Sequence, residues 1–269
     1  MADDVWEAYA IAYARHDRLV SQNFIGGDPH DGPMPLNYYV WVLKNGARTV
    51  VVDTGFDRRG AELRGRTIVH PVHEGLEALG VDREAVADVI VTHLHYDHAG
   101  NDDLLPAARF HLQDSEMGFA TGRCMCHPGI NHPYEIEDVV TMVRRVHAGR
   151  VIFHDGDAEL MPGITLHHIG GHSRGLQAVR VKTKRGHVVI ASDTTHHYAH
   201  IRDRRVFPTV DSVTDVYNGY DRLMELGGDL DHIVPGHDPL VADLYPAHTD
   251  ATAGWIVRLD ATPRPLPAA

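Results

Sequence analysis

Alternation is the first signal along the chain. Tyr9, Ile11 and Tyr13 are separated by alanines, the period-two pattern of a strand with two different faces. A Gly/Pro/Asp-rich loop follows over 26–33. Two apolar runs come next, Tyr38–Leu43 and Thr49–Val52, split by Lys44-Asn45-Gly46, a hairpin signal. Residues 72–79 carry helical periodicity with Gly80 as the stop, and a short helix is expected over 83–87. Asp88–Val91 reads as a buried strand, 114–135 as a loop-rich region and Asp138–His147 as a helix. Further strands are predicted at Val151–Phe153, Thr165–Ile169, Ala178–Lys182 and His187–Ala191. Ser212 is placed to cap a helix running to Leu226 before Gly227-Gly228, and His232–Val234 forms a last buried strand. Hairpins mixed with strand–helix alternation imply a layered α/β fold. With no linker-like or low-complexity segment, residues 1–269 are expected to form a single domain.

The strand ends carry the chemistry. His93-Leu94-His95-Tyr96-Asp97-His98 places four metal-ligand types in six positions directly after Val89-Ile90-Val91. On an extended segment, side chains at i and i+2 point to one side, so His93 and His95 can grip one ion together. Asp97 and His98 follow where the chain turns and can reach a second ion. Three later strands lead into single ligands: Gly170-Gly171-His172, Ser192-Asp193 and Pro235-Gly236-His237. Ligand sites of α/β proteins gather outside the carboxyl ends of strands. The count fits two divalent ions: His93, His95 and His172 for the first, Asp97, His98 and His237 for the second, and Asp193 bridging with its two oxygens. Imidazole and carboxylate ligands suit zinc, the expected metal, and also iron, manganese or cobalt. Asp53 is a candidate to orient a metal-binding histidine through its other nitrogen.

Composition narrows the partners. The 269 residues are 43% hydrophobic and 23% charged, with a formal net charge of −12, which argues against nucleic acid and anionic membranes. No run of about 18 apolar residues and no signal-like start is present, so a cytoplasmic protein is the default expectation. A small-molecule substrate and, as an option, a homodimer complete the expected partners. Cys124 and Cys126 are too close for an unstrained mutual disulfide and lack a second ligand pair, so reduced loop thiols are expected.

The pattern His-x-His-x-Asp-His at 93–98, with Gly-His at 171–172, Asp193, Gly-His at 236–237 and the Asp53-Thr54-Gly55 turn, resembles the metallo-β-lactamase superfamily. The resemblance implies an αββα sandwich with the site at one edge of the sheets. Within it, His95 differs from the Glu of the diiron flavoproteins and Asp193 from the Cys of many true β-lactamases. The chain lacks the nucleic-acid-binding segments of the ribonuclease branches and a long region after His237 like that of glyoxalase II-like thioesterases. The strand 36–43, the Asp53-Thr54-Gly55 turn and 93–101 are similar to N-acyl homoserine lactone lactonases. The implied reaction is opening of a lactone ring by hydroxide activated between two metals, with Asp97 relaying a proton to the leaving alkoxide. In that family a Tyr stands three residues after the bridging Asp; His196 stands here and is expected to donate a hydrogen bond in its place, with Tyr198 off register. Phe24, Ile25, Met34, Leu36, Met117 and Phe119 are candidates for an apolar substrate wall. His127, His132, His197 and His200 are expected at the surface or behind the ligands. Rival readings are a phosphotriesterase, thioesterase or amide hydrolase on the same scaffold, and a non-catalytic metal-binding or sensor module.

Overall fold

The computed structural model describes residues 4–267. The strands, numbered in chain order, are β1 (Glu7–His16), β2 (Leu36–Asn45), β3 (Arg48–Val52), β4 (Thr67–Ile68), β5 (Asp88–Ile90), β6 (Arg109–Gln113), β7 (Val151–His154), β8 (Ala158–Met161), β9 (Ile164–His168), β10 (Gln177–Thr183), β11 (Gly186–Ser192), β12 (Ile233–Pro235) and β13 (Ile256–Arg258). They form two sheets. One runs β13-β1-β2-β3-β5-β6-β7 with β4 added to β1; the other runs β12-β11-β10-β9-β8. In the first, β1, β2 and β3 are antiparallel while β3, β5, β6 and β7 are parallel. In the second only the β11–β12 pair is parallel.

The alternation in β1 serves two cores at once. Tyr9, Ile11 and Tyr13 face a core shared with helices α1 (Arg58–Arg64), α2 (Val72–Ala78), α3 (Tyr96–Ala99), α4 (Asp114–Ala120) and α6 (Ile136–His147). Ala8, Ala10 and Ala12 face the space between the sheets, where they leave room for Tyr39, Trp41 and Leu43 of β2 against Val179 and Val181 of β10. Fully burying a side chain of this size contributes roughly 1.5–3 kcal/mol. A third core packs β10, β11 and β12 against α7 (Tyr198–Asp203) and α8 (Val213–Gly227). The layers are therefore helices, sheet, sheet, helices, the αββα sandwich expected. Gly75 lets α2 lie against β1: a Cβ there would meet Ile11 Cγ2 at 2.5 Å. No helix among the described residues is long and apolar enough to cross a membrane.

Local chemistry explains most of the boundaries. Ser212 caps α8 by accepting from the Asp215 N–H, and Gly80 follows α2 at φ 65°. The hairpin turn is shifted from the expected Lys44-Asn45-Gly46. Asn45 pairs with Arg48, leaving Gly46-Ala47 as the connection, and the Asn45 amide donates to the Val5 carbonyl. The helix expected over 83–87 is only a turn, because Asp82 accepts from the Glu84 and Ala85 N–H groups and the chain must straighten to pair Asp88 with Val50. The loop-rich region 114–135 instead contains α4, a 3₁₀ turn over 123–126 and the short α5 (Pro128–Asn131). His232 belongs to a 3₁₀ turn ahead of β12, and α9 (Leu240–Leu244) covers the edge of the inter-sheet core.

Candidate metal centre

Parallel pairing sets where the ligands meet. β3 and β5 run side by side, as do β11 and β12, so their carboxyl ends open on the same edge of the sandwich. Each chain turns sharply as it leaves its strand. Asp53 after β3 and Ser192 at the end of β11 have positive φ, 63° and 46°, a conformation that costs a non-glycine residue free energy and that concentrates at functional sites. Gly236 admits the closest approach: a Cβ there would meet Asp193 Oδ1 at 2.5 Å.

The seven predicted ligands converge. Ligand atoms of His93, His95 and His172 lie within 4.8 Å of one another, and so do those of Asp97, His98, Asp193 and His237. Asp193 spans both groups. Its Oδ2 is 3.2 Å from His172 Nε2 and 4.0 Å from His93 Nε2, while Oδ1 is 3.4 Å from His98 Nε2 and 3.0 Å from His237 Nε2. Asp97 Oδ2 is 3.5 Å from the Nε2 atoms of both His98 and His237. The fit to metal is tested by what these atoms lack. The Nε2 atoms of His93, His98 and His172 and Asp193 Oδ1 are buried without a hydrogen-bond partner, a costly arrangement unless a cation takes their lone pairs.

The opposite ring nitrogens are held. His98 Nδ1 lies 2.7 Å from Asp53 Oδ2, His172 Nδ1 donates to the Thr209 carbonyl at 2.6 Å, and His237 Nδ1 donates to the Asn37 carbonyl at 2.9 Å. Asp53 is fully buried and also accepts from the Thr92 N–H and hydroxyl at 2.7 and 2.8 Å. Such partners fix the tautomer and raise ligand basicity. Asp53→Asn is therefore expected to weaken metal affinity about 10–100-fold, read by competition with a chromogenic chelator. Affinity within threefold of the parent would break the link between Asp53 and His98.

Electrostatics separate the histidines. Burial, with His98, His95 and His172 adding repulsion, holds His93 well below the usual imidazole range; burial and His172 do the same to His95. Burial also opposes charge on His98, but Asp97, Asp193 and Asp53 outweigh it and hold its pKa well above normal. Asp193 is held well below the usual carboxylate range because four histidines overcome its burial.

His196 joins the edge of this cluster. Its Nε2 is 3.0 Å from Asp193 Oδ2, and its ring stacks on Phe207 at 3.7 Å and 19°. Tyr198 is buried between the sheets and donates its N–H to Asp238, away from the ligands. Of the six apolar wall candidates, Leu36 lines the cavity over the cluster and Phe119 a small adjoining crevice. Phe24 is buried against His200 under Arg205, Ile25 is exposed, Met34 ties its backbone to Arg18 and Asn23, and Met117 packs on the helix-side core. His127 is exposed and His132 reaches the cavity mouth. His197 and His200 are not surface residues: both are buried, bonded to the Pro35 and Asn23 carbonyls. Cys124 is half-buried and Cys126 exposed; among the described residues neither belongs to a metal-competent group.

Several contributors are invisible in the motif. Tyr38 and Tyr96 line the cavity, with the Tyr96 hydroxyl donating to that of Tyr38 at 3.1 Å; burial pushes the Tyr38 phenol up to about 12, so it stays protonated. Glu116, fully buried on α4, accepts from the Leu94 N–H, the Tyr134 hydroxyl and the Gly175 N–H at 2.9, 3.1 and 2.9 Å. Arg18, Arg64 and Arg66 also reach the cavity. Only Tyr96, inside the ligand motif itself, carried a positional signal.

Two sandwiched sheets with an open His/Asp cluster at their edge define a metal-dependent hydrolase. Residues 33–237 match the metallo-beta-lactamase superfamily, and the chain belongs to that superfamily. It is similar to an N-acyl homoserine lactonase of Bacillus cereus, 26% identical over 200 residues that span 66% of this chain and 72% of that protein. Among solved structures it superposes on a quorum-quenching N-acyl homoserine lactone lactonase with a TM-score of 0.73 and 22% identity, covering 88% of this chain and 94% of the other. It also superposes on an N-acyl homoserine lactone hydrolase with the product N-hexanoyl-L-homoserine bound at its catalytic metal center, with a TM-score of 0.71, 21% identity and coverage of 87% and 94%.

Proposed function

We propose that this chain is a dinuclear lactonase, acting as one hydrolase domain. His93, His95 and His172 would hold one divalent ion, Asp97, His98 and His237 the other, and Asp193 both, with zinc the metal best matched to the donors. The observation that carries this reading is the pair of ligand groups sharing Asp193, with the buried Nε2 atoms of His93, His98 and His172 and Asp193 Oδ1 left without a hydrogen-bond partner. Bound divalent ions supply an acidified water and polarise an ester carbonyl. The chain's own residues do the rest. Asp97, whose Oδ2 faces two imidazoles, would take up the proton that the attacking water loses and hand it to the departing alkoxide. His196, kept neutral chiefly by burial, carries one N–H; its Nε2 stands 3.0 Å from Asp193 Oδ2, and with Asp193 engaged by a cation that N–H would turn to the carbonyl oxygen. The protonated Tyr38 phenol, which accepts from the Tyr96 hydroxyl, keeps its own O–H as a neutral donor on the cavity wall. The lactonase relatives favour a lactone over other esters.

Stripping metal with a chelator is expected to lower lactone opening, followed by acid release, at least about 10³-fold, with zinc, cobalt or manganese restoring it. Full turnover by stably metal-free protein would sink the proposal. Faster hydrolysis of a paraoxon-type phosphotriester or a thioester than of any homoserine lactone would transfer the assignment to those chemistries. Metal uptake without hydrolysis of any ester would favour a sensor.

A further inference from the structure

The cavity over the ligand cluster is small, about 100 Å³, against roughly 300–1,000 Å³ for typical ligand pockets. Its outer wall is cationic rather than apolar. Arg64 is engaged structurally: it donates to the His132 and Tyr134 carbonyls at 2.6 and 2.9 Å, lies 3.8 Å from Glu135 and covers the Tyr96 ring at 4.2 Å. Arg18 and Arg66 differ. Both are half-buried at the cavity, and among the described residues neither has a carboxylate within 4 Å. Arg66 donates from Nε to the Tyr96 hydroxyl at 3.0 Å and from Nη1 to the Arg64 carbonyl; Arg18 donates to the Gln22 carbonyl. These neutral partners orient the guanidiniums without cancelling their charge. His16 lies 3.2 Å from Arg66 Nη1, and burial together with Arg66 and Arg18 pushes its pKa down to about 4, so it is neutral there. Two uncompensated cations thus stand beside one cavity of a protein with net charge −12. Partly desolvated charge is costly without a counter-charge, and guanidinium forks match planar oxyanions.

We propose that the substrate carries an anionic oxyacid group, carboxylate or phosphate, which docks on Arg18 and Arg66 while its ester carbonyl faces the ligand cluster. The preferred substrate class is an acidic lactone or ester with a short linker, not one with a long alkyl chain. The inference rests on the hydrolase reading for the ester end only.

The test compares hexanoate, adipate and 5-phosphonopentanoate, equal in chain length, by calorimetry on the zinc-loaded protein. The dianion that matches the site is expected to bind at least about tenfold tighter than hexanoate, the scale of one charge-assisted contact. Whichever of adipate and phosphonopentanoate shows the larger advantage identifies the group. The advantage should fall below about twofold in Arg18→Gln/Arg66→Gln and be partly retained in Arg66→Lys. Equal binding of hexanoate and both dianions by the wild-type protein overturns the proposal without reference to any variant. An advantage that persists in the doubly neutralised protein overturns it as well. In parallel, N-adipoyl-homoserine lactone should exceed N-hexanoyl-homoserine lactone about tenfold or more in kcat/KM. A dianion advantage with neither lactone opened upholds the anion site and counts against the lactone reading alone.

Discussion

Asp193→Ala is expected to reduce turnover by about 10²–10⁴-fold and, on the proposed dinuclear reading, to lower the bound metal from two ions per chain to one or fewer. Among the described residues it is the one carboxylate that reaches both ligand groups, Oδ2 lying 3.2 Å from both His172 and His237 Nε2 and Oδ1 facing His98 and His237. Each 1.36 kcal/mol of lost transition-state stabilisation is a factor of ten in rate, so the expected loss corresponds to about 3–5 kcal/mol. Alanine cannot be rescued by a neighbour. Asp97 contacts His98 and His237 but makes no close approach to His93 or His172, and the ring of His196 carries no negative charge. Asp193→Asn keeps one oxygen and the shape, so it should fall between alanine and the parent. Metal content by mass spectrometry, read beside kcat/KM on the same preparations, decides the matter. Two ions retained by the alanine variant with a rate within tenfold of the parent would remove Asp193 from its bridging position.

How far the sequence could be read depends on what specified each feature. β1 was legible because its two faces meet different cores, and the Tyr/Ile against Ala alternation records that difference directly. The candidate ligands were legible because metal chemistry restricts residue type and β-strand ends restrict spacing, so His93, His95, Asp97 and His98 announce themselves within six positions. Asp53 could be read from its turn. α4 could not: it has only seven residues, Gly118 interrupts it, and what holds it is Glu116 and Phe119 reaching inward to distant partners. The apolar wall was legible only in part, at Leu36 and Phe119, for a related reason. A hydrophobic residue in a loop is equally able to face a ligand or a core, and Phe24, Met34 and Met117 chose the latter or served the backbone. The part proposed for Arg18 and Arg66 rests on half-burial and on the lack of a carboxylate within 4 Å among the described residues, properties that exist only in three dimensions.

Glu116→Ala is expected to destabilise the fold by on the order of 3–5 kcal/mol and to weaken metal binding as well. The Glu116 side chain links two ligand-bearing segments that are far apart in sequence. Oε1 takes the N–H of Leu94, between His93 and His95, and Oε2 takes the N–H of Gly175, three residues after His172. Tyr134, whose ring packs edge-on to that of His95 at 4.6 Å, donates to Oε1 from a third segment. Alanine would leave three buried donors without an acceptor, at about 1–3 kcal/mol each before relaxation. The segment cannot simply close the gap, because the chain at Gly175 already lies so near α4 that a Cβ there would meet the Glu116 N at 2.3 Å. Total stability of a domain is about 5–15 kcal/mol, so the loss is a large share of it. Glu116→Gln keeps one acceptor but turns an NH₂ group toward an N–H donor, and should lose less than alanine yet more than about 1 kcal/mol. Urea unfolding of zinc-loaded and metal-free protein separates the two effects. A structural role alone lowers both curves equally, whereas a role in positioning His93, His95 and His172 also shrinks the extra stability that metal confers. Alanine unfolding within 1 kcal/mol of the parent in both states would show that water replaces the carboxylate without loss, and would end the argument that this buried acid sets the geometry of the first ligand group.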